Sequence, residues 1–358
     1  MNPTAVRRSG LAFVAVLALG YPLILSDYIR GLAADGLIAG IIVLSLVLIT
    51  GFVGQISFCQ YSFAALGAFT VGSLVGGHHW SFWLALPVGV LFAGVTGALV
   101  GIPALRLSGL FLTILTVAVA LFFDRYVLAP GTWNSFSNGN ANWDVGRPAF
   151  LGLHLTGSYA FYLFALGSFT LCALLVWNFR KGKTGRVLRA IRDAEVAAAT
   201  LGINLTAWKL AAFAVSAALA GFAGAIGAAS IGSVSRGSYD LVHSLGIAAI
   251  ATVMGVGSVA AGAAGGLFYV FGPEILRHTP LSTQWFNLIT GGLLVVQLIV
   301  TPDGLVPDFQ HKLGHLLHHR KAATGTAPGA VGAGPTAEAA AAGEAQAATE
   351  AVPAVRRP

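Results

Sequence analysis

Charged residues are scarce in this sequence of 358 residues, because Asp, Glu, Lys and Arg together make up 9% of it. A soluble globular domain carries about 25% charged residues, so the composition excludes an ordinary water-soluble protein. Disorder over most of the chain is also excluded, since 56% of the residues are hydrophobic and the mean hydropathy is +0.80. A polytopic helical membrane protein remains, because helices satisfy their own backbone hydrogen bonds in lipid.

Cysteine is almost absent too, with Cys59 and Cys172 far apart in apolar segments. This pattern excludes a disulfide framework and a Cys-x-x-Cys metal site. The net charge of +7 does not indicate a nucleic-acid partner, because the basic residues lie mainly at the ends of apolar runs. At those positions Lys and Arg orient a protein in a lipid membrane.

Apolar stretches of membrane-spanning length recur along the chain and predict an all-α fold with about ten transmembrane helices. The placement of Lys and Arg predicts that both termini are cytoplasmic. The predicted spans are 10–26, 33–50, 56–76, 81–102, 108–128, 158–178, 208–230, 241–256, 259–273 and 283–300.

The sequence divides into a transmembrane domain over 1–321 and a tail over 322–358. Turn-forming residues predict an outer loop over 129–157, and 179–207 is the longest inner segment. The tail is rich in Ala, Gly, Pro, Glu and Thr and has almost no large apolar residue. A segment of this composition cannot bury a core, so we expect a disordered cytoplasmic tail.

The inner segment contains a predicted amphipathic helix over 186–204. Ala, Arg, Leu and Glu favour a helix, and a Gly suits its C-terminal end. Such a helix can lie in the lipid interface or dock onto a soluble partner, and both interpretations remain open from the residues alone. The apolar face contains Leu188, Ile191, Ala198 and Leu201; the charges are Arg186, Arg189, Arg192 and Glu195; and Gly202 ends the helix.

Four stretches of the chain carry recognisable motifs of small, polar and charged residues. They read Thr-Gly-Phe-Val-Gly-Gln-Ile-Ser at 50–57, Leu-Arg-Leu-Ser-Gly-Leu-Phe-Leu at 105–112, Ala-Ile-Arg-Asp-Ala-Glu at 190–195 and Gly-Val-Gly-Ser at 255–258. In this order, over about residues 35–308, the chain resembles branched-chain amino acid ABC transporter permeases of the LivM type.

The resemblance implies that the helix over 186–204 docks onto a cytoplasmic ATPase that drives transport. It implies a plasma (inner) membrane importer with two ATPase subunits, a second homologous permease, an extracytoplasmic substrate-binding protein and membrane lipid as partners. The chain itself is expected to be no enzyme, with no catalytic site, metal or cofactor, because the partners bind ATP. The coupling residues it indicates are Arg186, Arg189, Arg192, Glu195, Ala198, Leu201 and Gly202.

A phosphate-binding loop is not expected at Gly182-Lys183-Thr184, since Trp177 stands where that motif requires its first Gly. The substrate path is expected to use neutral polar groups, because a charge at mid-membrane is costly. Close helix packing is the competing interpretation of the same residues. The candidates are Gln55, Ser57, Gln60, Ser62, Thr113 and Thr116.

Three alternative functions remain open. A permease of the same family could carry urea or a small amide. A secondary carrier is less favoured, because such carriers usually need acidic groups near mid-membrane. A membrane metalloenzyme would use His311, His315, His318 and His319, although such an enzyme needs several separate histidine clusters.

Overall fold

The computed structural model describes residues 26–107, 109–129, 143–150, 153–154, 157–278, 285–300 and 305–306. Helices dominate these residues, as the sequence predicts. Three of the helices continue into wider π-helical turns. The helices are α1 Asp27–Leu46 (π turns Val47–Phe52), α2 Gln60–Gly72 (π turns Ser73–Gly77), α3 Phe82–Ala104, α4 Leu110–Phe122 (π turns Phe123–Val127), α5 Ser158–Lys181, α6 Lys183–Asp193, α7 Glu195–Thr200, α8 Leu205–Ile231, α9 Leu241–Met254, α10 Ala260–Arg277 and α11 Trp285–Val300.

Five helical stretches in the described part of the chain are long and apolar enough to cross a membrane: Asp27–Phe52, Phe82–Ala104, Leu110–Val127, Ser158–Lys181 and Leu205–Ile231. They confirm a helical, multi-pass membrane protein. Helices also occupy the other predicted spans from residue 56 onward, but the number of spans and the cytoplasmic position of both termini stay predictions. The span over 10–26, the tail over 322–358 and the four C-terminal histidines lie outside the described residues.

The core is built around α8, which packs against α2 and α3, while α1 packs against α10 and α5. The crossing of α2 with α8 has almost no space between the backbones. A Cβ atom at Gly67 would lie 2.0 Å from the carbonyl oxygen of Gly221, and one at Gly224 would lie 1.8 Å from that of Ala64. Small residues allow this approach, which gives transmembrane helices their packing contacts.

Two segments without α-helix interrupt this body. Residues 54–59 separate the π turns of α1 from α2, and residues 232–240 separate α8 from α9. The second contains a two-residue strand, Ser233–Val234, which pairs antiparallel with Trp143–Asp144. The loop over 129–157, which is predicted to be outer, also holds the paired strands Ala149–Phe150 and Leu153–His154. Helices α2 and α9, which follow these two segments, are shorter than the helices that can span a membrane.

Candidate coupling segment and polar interior

The predicted helix over 186–204 is two helices, so the expectation of a single helix is wrong. The main chain of Ala194 has φ −153° and ψ 80°, which ends α6 and begins α7. Both pieces nevertheless bury three of the four predicted apolar residues, because Leu188, Ile191 and Ala198 are each 2% exposed. The segment therefore packs against the rest of the protein through these three side chains.

Leu201 does not share that face, contrary to the prediction. Helix α7 ends at Thr200, so Leu201 lies in the following turn with 80% of its surface exposed. Val196 in α7 is 79% exposed as well. Sequence reasoning missed Val196, although an apolar residue between charged and small residues of this segment was the available signal. Val196 and Leu201 are the two large apolar side chains that the segment exposes.

Gly202 ends the segment as the sequence predicts. Its φ of +78° is a left-handed conformation that favours glycine. The amide of Ile203 donates to the carbonyl of Ala198, and the amide of Gly202 donates to that of Ala199, at 3.2 and 3.0 Å. This pair of bonds is a Schellman ending, which fixes how the chain turns into α8.

The three predicted arginines have different surroundings. Arg186 is exposed, and Arg189 donates from Nε to the carbonyl of Gly185 in its own helix at 3.1 Å. Arg192 instead donates from Nη1 to the carbonyl of Gly51, in the π turns that end α1. Its side chain also covers Gly54, where a Cβ atom would lie 2.9 Å from Cγ of Arg192. Arg192 thus connects α6 to the segment that precedes α2.

Glu195 ties α7 to the start of α8. Its Oε1 accepts a hydrogen bond from Nζ of Lys209 at 2.5 Å. Lys209 is 8% exposed as a whole residue, while the Glu195 side chain is 54% exposed. The buried ammonium of Lys209 therefore depends on Glu195 for its charge partner, a role that the sequence did not indicate.

The structure brings most of the predicted path residues together in the interior. Gln60 donates to Ser57 at 3.4 Å and accepts from Ser45 at 3.2 Å. Thr116 accepts from the amide of Phe58 at 3.2 Å and donates to the carbonyl of Thr113 at 2.9 Å. These bonds connect α1, the 54–59 segment and α4, so most of these polar groups already have protein partners.

Gln55 and Ser62 are buried as well, at 8% and 7% exposure. Thr113 is the exception, because it is only half-buried and its hydroxyl donates to the carbonyl of Gly109 at 3.3 Å. Oε1 of Gln55 has no hydrogen-bond partner among the described residues. A buried amide oxygen without a partner costs free energy, so Gln55 is the predicted path residue with unused hydrogen-bonding capacity.

Comparison with known proteins agrees with this architecture. Residues 28–298 match the family model described as the permease component of the branched-chain amino acid transport system. The LivM permease of the high-affinity branched-chain amino acid transport system of Escherichia coli K12 is 30% identical over 337 residues, which cover 85% of this chain and 76% of the relative. The corresponding permease of Salmonella typhimurium is 29% identical over 327 residues, with the same coverage.

No solved structure matches the chain. The family match nevertheless includes every helix from α1 to α10 and most of α11, together with the coupling segment and the polar interior. The chain belongs to the family of branched-chain amino acid transport permeases of the LivM type.

Proposed function

We propose that this protein is the translocation subunit of an ATP-binding-cassette importer in the plasma (inner) membrane, carrying branched-chain or related amino acids. The named activity of both curated relatives supports this substrate class. The complex would contain two cytoplasmic ATPase subunits, a second homologous permease and an extracytoplasmic binding protein. Both termini and the coupling segment would face the cytoplasm, where the ATPases bind ATP.

The observation that carries this proposal is the exposure of Val196 and Leu201 on a segment whose other large apolar side chains pack against the rest of the protein. Leucine and valine exposed to this degree on a cytoplasmic surface suit a protein partner. Glu195 directly precedes Val196 in the chain, and Gly202 directly follows Leu201. The ATPase would contact these two side chains, and its closure on ATP would move α6 and α7.

Movement of the coupling segment would reach the membrane interior through Arg192. This side chain contacts Gly51 and Gly54, directly before the polar stretch 55–60. We place the substrate path beside this stretch, where Gln55 has an unused acceptor. Opening of the path would exchange some of the present hydrogen bonds of Ser57, Gln60 and Thr116 for water or substrate.

Variants of the coupling segment test the docking role in the reconstituted complex. Glu195→Lys, Gly202→Trp, Val196→Asp and Leu201→Asp should each abolish leucine uptake and reduce co-purification of the ATPase at least about tenfold, which is about 1.4 kcal/mol of binding free energy. Ile231→Asp is the matched control, because Ile231 is 61% exposed at the opposite end of α8. Normal ATPase binding by all four variants would contradict the docking role.

The same assay separates the alternative functions. An importer of this class takes up labelled leucine only when ATP and the binding protein are both present. Uptake of labelled urea or acetamide in place of leucine would identify a small-amide permease. Leucine uptake driven by a proton or sodium gradient without ATP would identify a secondary carrier.

The native thiol of Cys59 tests the position of the path. Cys59 is 0% exposed and lies 3.4 Å from Oγ of Ser57, so it should resist a small polar thiol reagent at rest. In a Cys172→Ala background, we expect labelling during ATP turnover, when the 55–60 stretch moves. A thiol introduced at Gln55 should be labelled as well. Active transport with both thiols inert would contradict this path.

A further inference from the structure

The coupling segment is attached to two different membrane helices at two separate points. Arg192 at the end of α6 donates to the carbonyl of Gly51, where α1 ends. Glu195 at the start of α7 accepts from Lys209, which lies in the second turn of α8. Between these two attachments the main chain of Ala194 interrupts the helix. Helix α6 is therefore bonded to α1, and α7 is bonded to α8.

Lys209 is the buried member of the contact between α7 and α8. Its side chain is 10% exposed, while that of Glu195 is 54% exposed. The bond from Nζ of Lys209 to Oε1 of Glu195, at 2.5 Å, is the one ion pair that Lys209 makes within the described part of the chain. The N-terminal turns of a helix disfavour a cation, because their backbone amides carry partial positive charge. A buried ammonium at this position therefore needs the carboxylate of Glu195.

The burial of Lys209 distinguishes it from a lysine that only orients the protein in the membrane. Such a lysine extends its ammonium to the lipid headgroups or to water. Lys183, at the start of α6, is exposed in this way. Lys209 is 8% exposed as a whole residue and bonds to a carboxylate of the coupling segment instead. This contact indicates a role within the protein.

Helix α7 carries the exposed apolar side chain of Val196, and Leu201 follows directly after its end. The helix is six residues long, and so short a helix is not stable without tertiary contacts. Glu195, directly before Val196, supplies one such contact at the first residue of α7. The buried side chain of Ala198 supplies another. The orientation of the two exposed side chains therefore depends on how α7 is held against the rest of the protein.

We propose that Lys209 is a positioning residue for coupling, because its ion pair with Glu195 holds α7 against α8 and orients Val196 and Leu201 toward the ATPase. The carboxylate of Glu195 then acts on Lys209 and not on the ATPase. A displacement of α7 reaches α8 through the same bond, and α8 packs against α2 and α3 in the core. The proposal rests on the proposed coupling function, to which it adds a residue outside the segment 186–204.

Exchanging the two charges separates this role of Glu195 from a direct contact with the ATPase. Glu195→Lys alone brings two ammonium groups together and should abolish leucine uptake in the reconstituted importer. Adding Lys209→Glu restores opposite charges, and a carboxylate is favourable near the N-terminus of α8. We expect uptake and ATPase co-purification to return to within about threefold of the parent, because the interaction between the two positions is restored. A direct contact of Glu195 with the ATPase would leave the double variant as inactive as Glu195→Lys.

Removing the lysine tests the same pair without reversing a charge. Lys209→Met keeps a long unbranched side chain, and we expect uptake and ATPase co-purification to fall at least about fivefold, which lies within the range of coupling between contacting residues. Adding Glu195→Gln should cause no further loss, since the pair is already broken. Lys183→Met removes an exposed lysine of the same segment and is the matched control.

A thiol on the buried side of α7 reports whether this helix stays in place. Ala198→Cys introduces a thiol where the parent residue is 2% exposed, whereas Ala190→Cys introduces one at an exposed position of α6. We expect a polar maleimide to modify the first thiol about tenfold faster after Lys209→Met, as local opening predicts, with no change at the second. The charge-exchanged pair should restore protection. The parent protein controls for Cys59 and Cys172, which are 0% and 2% exposed.

Three results would overturn the proposal. They are normal uptake and ATPase binding by Lys209→Met at equal membrane insertion, protection of the Ala198→Cys thiol that does not change with Lys209→Met, and no rescue by the charge-exchanged pair. If Lys209→Met does not insert, the charge-exchanged pair decides, because it retains both charges. Failure of the parent to take up leucine with ATP would instead contradict the proposed function, and the thiol would still report on the hold of Lys209 over α7.

Discussion

The crossing of α2 with α8 and a cavity of about 820 Å³ between α9, α10 and α11 are both rich in glycine, yet one is closed and the other open. At the crossing, a Cβ atom on Gly224 would lie 1.8 Å from the Ala64 carbonyl oxygen. In the cavity, a Cβ atom on Gly291 would meet nothing within 4 Å, and one on Gly246 would meet a ring carbon of Tyr269 at 3.9 Å. Glycine allows the two helix backbones to touch in the first region and leaves open space in the second.

The contrast shows that a small residue in a membrane helix can serve either close packing or open space, depending on what surrounds it. Where two backbones touch, they permit van der Waals packing between helices. Where large side chains surround them at a distance, they leave a space that a ligand can occupy. Substitutions that add volume distinguish the two cases, since the same added atoms collide in one region and fit in the other.

The largest effect is expected at the crossing. Gly224→Val would place its side chain against the backbone of Ala64, which cannot move without separating α2 from α8. We expect a loss of about 3 kcal/mol or more in stability and little folded protein. The yield of monodisperse protein and its Tm in detergent measure the effect. A wild-type Tm for this variant would mean that the crossing is looser than described.

A second, smaller effect is expected in the open region, at the cavity. Gly291→Val adds the same side chain where nothing lies within 4 Å, so yield and Tm should stay near those of the parent. The added methyl groups would enter the cavity that Gly291 lines. Misfolding of this variant would show that the cavity wall is as tightly packed as the crossing.

A third effect concerns the polar contacts that fix the closed region. Ser216→Ala removes the 2.7 Å bond from its hydroxyl to the Ser45 carbonyl. Bonds of this kind between membrane helices contribute about 0.6 kcal/mol, so Tm should fall by about 1–2 °C. Thr170→Ala is the matched control, since Thr170 is exposed and binds its own helix at Leu166. Equal shifts in both variants would assign no specific role to Ser216.

The smallest effect is expected for the tail, which belongs to neither region. Its composition cannot bury a core, so deletion of residues 323–358 should leave Tm and leucine uptake near the parent values. The inserted amount of each protein, measured in the membrane fraction, normalises the comparison. A several-fold loss of uptake at equal insertion would reveal a partner that binds the tail.

The sequence located the helical segment proposed for coupling and three of its buried residues, Leu188, Ile191 and Ala198, because helical periodicity depends on residues that are close in the chain. It missed the break at Ala194, since no Gly or Pro marks that position, and it therefore placed Leu201 on the wrong face. It also grouped Gln60 and Thr116 as polar residues of one interior. Whether these polar side chains bond to each other or face a substrate path depends on how helices that are distant in the chain pack together.

Composition, apolar run lengths and motifs by themselves determined that this protein is a helical, multi-pass membrane permease. Only the tertiary structure decided which surfaces close and which stay open. Arg192 and its acceptor Gly51 are 141 residues apart, Ser216 and Ser45 are 171 apart, and Ser244 and Phe58 are 186 apart. Local propensity contains no information about such pairs, because their energies arise from contacts that exist only after the helices have packed.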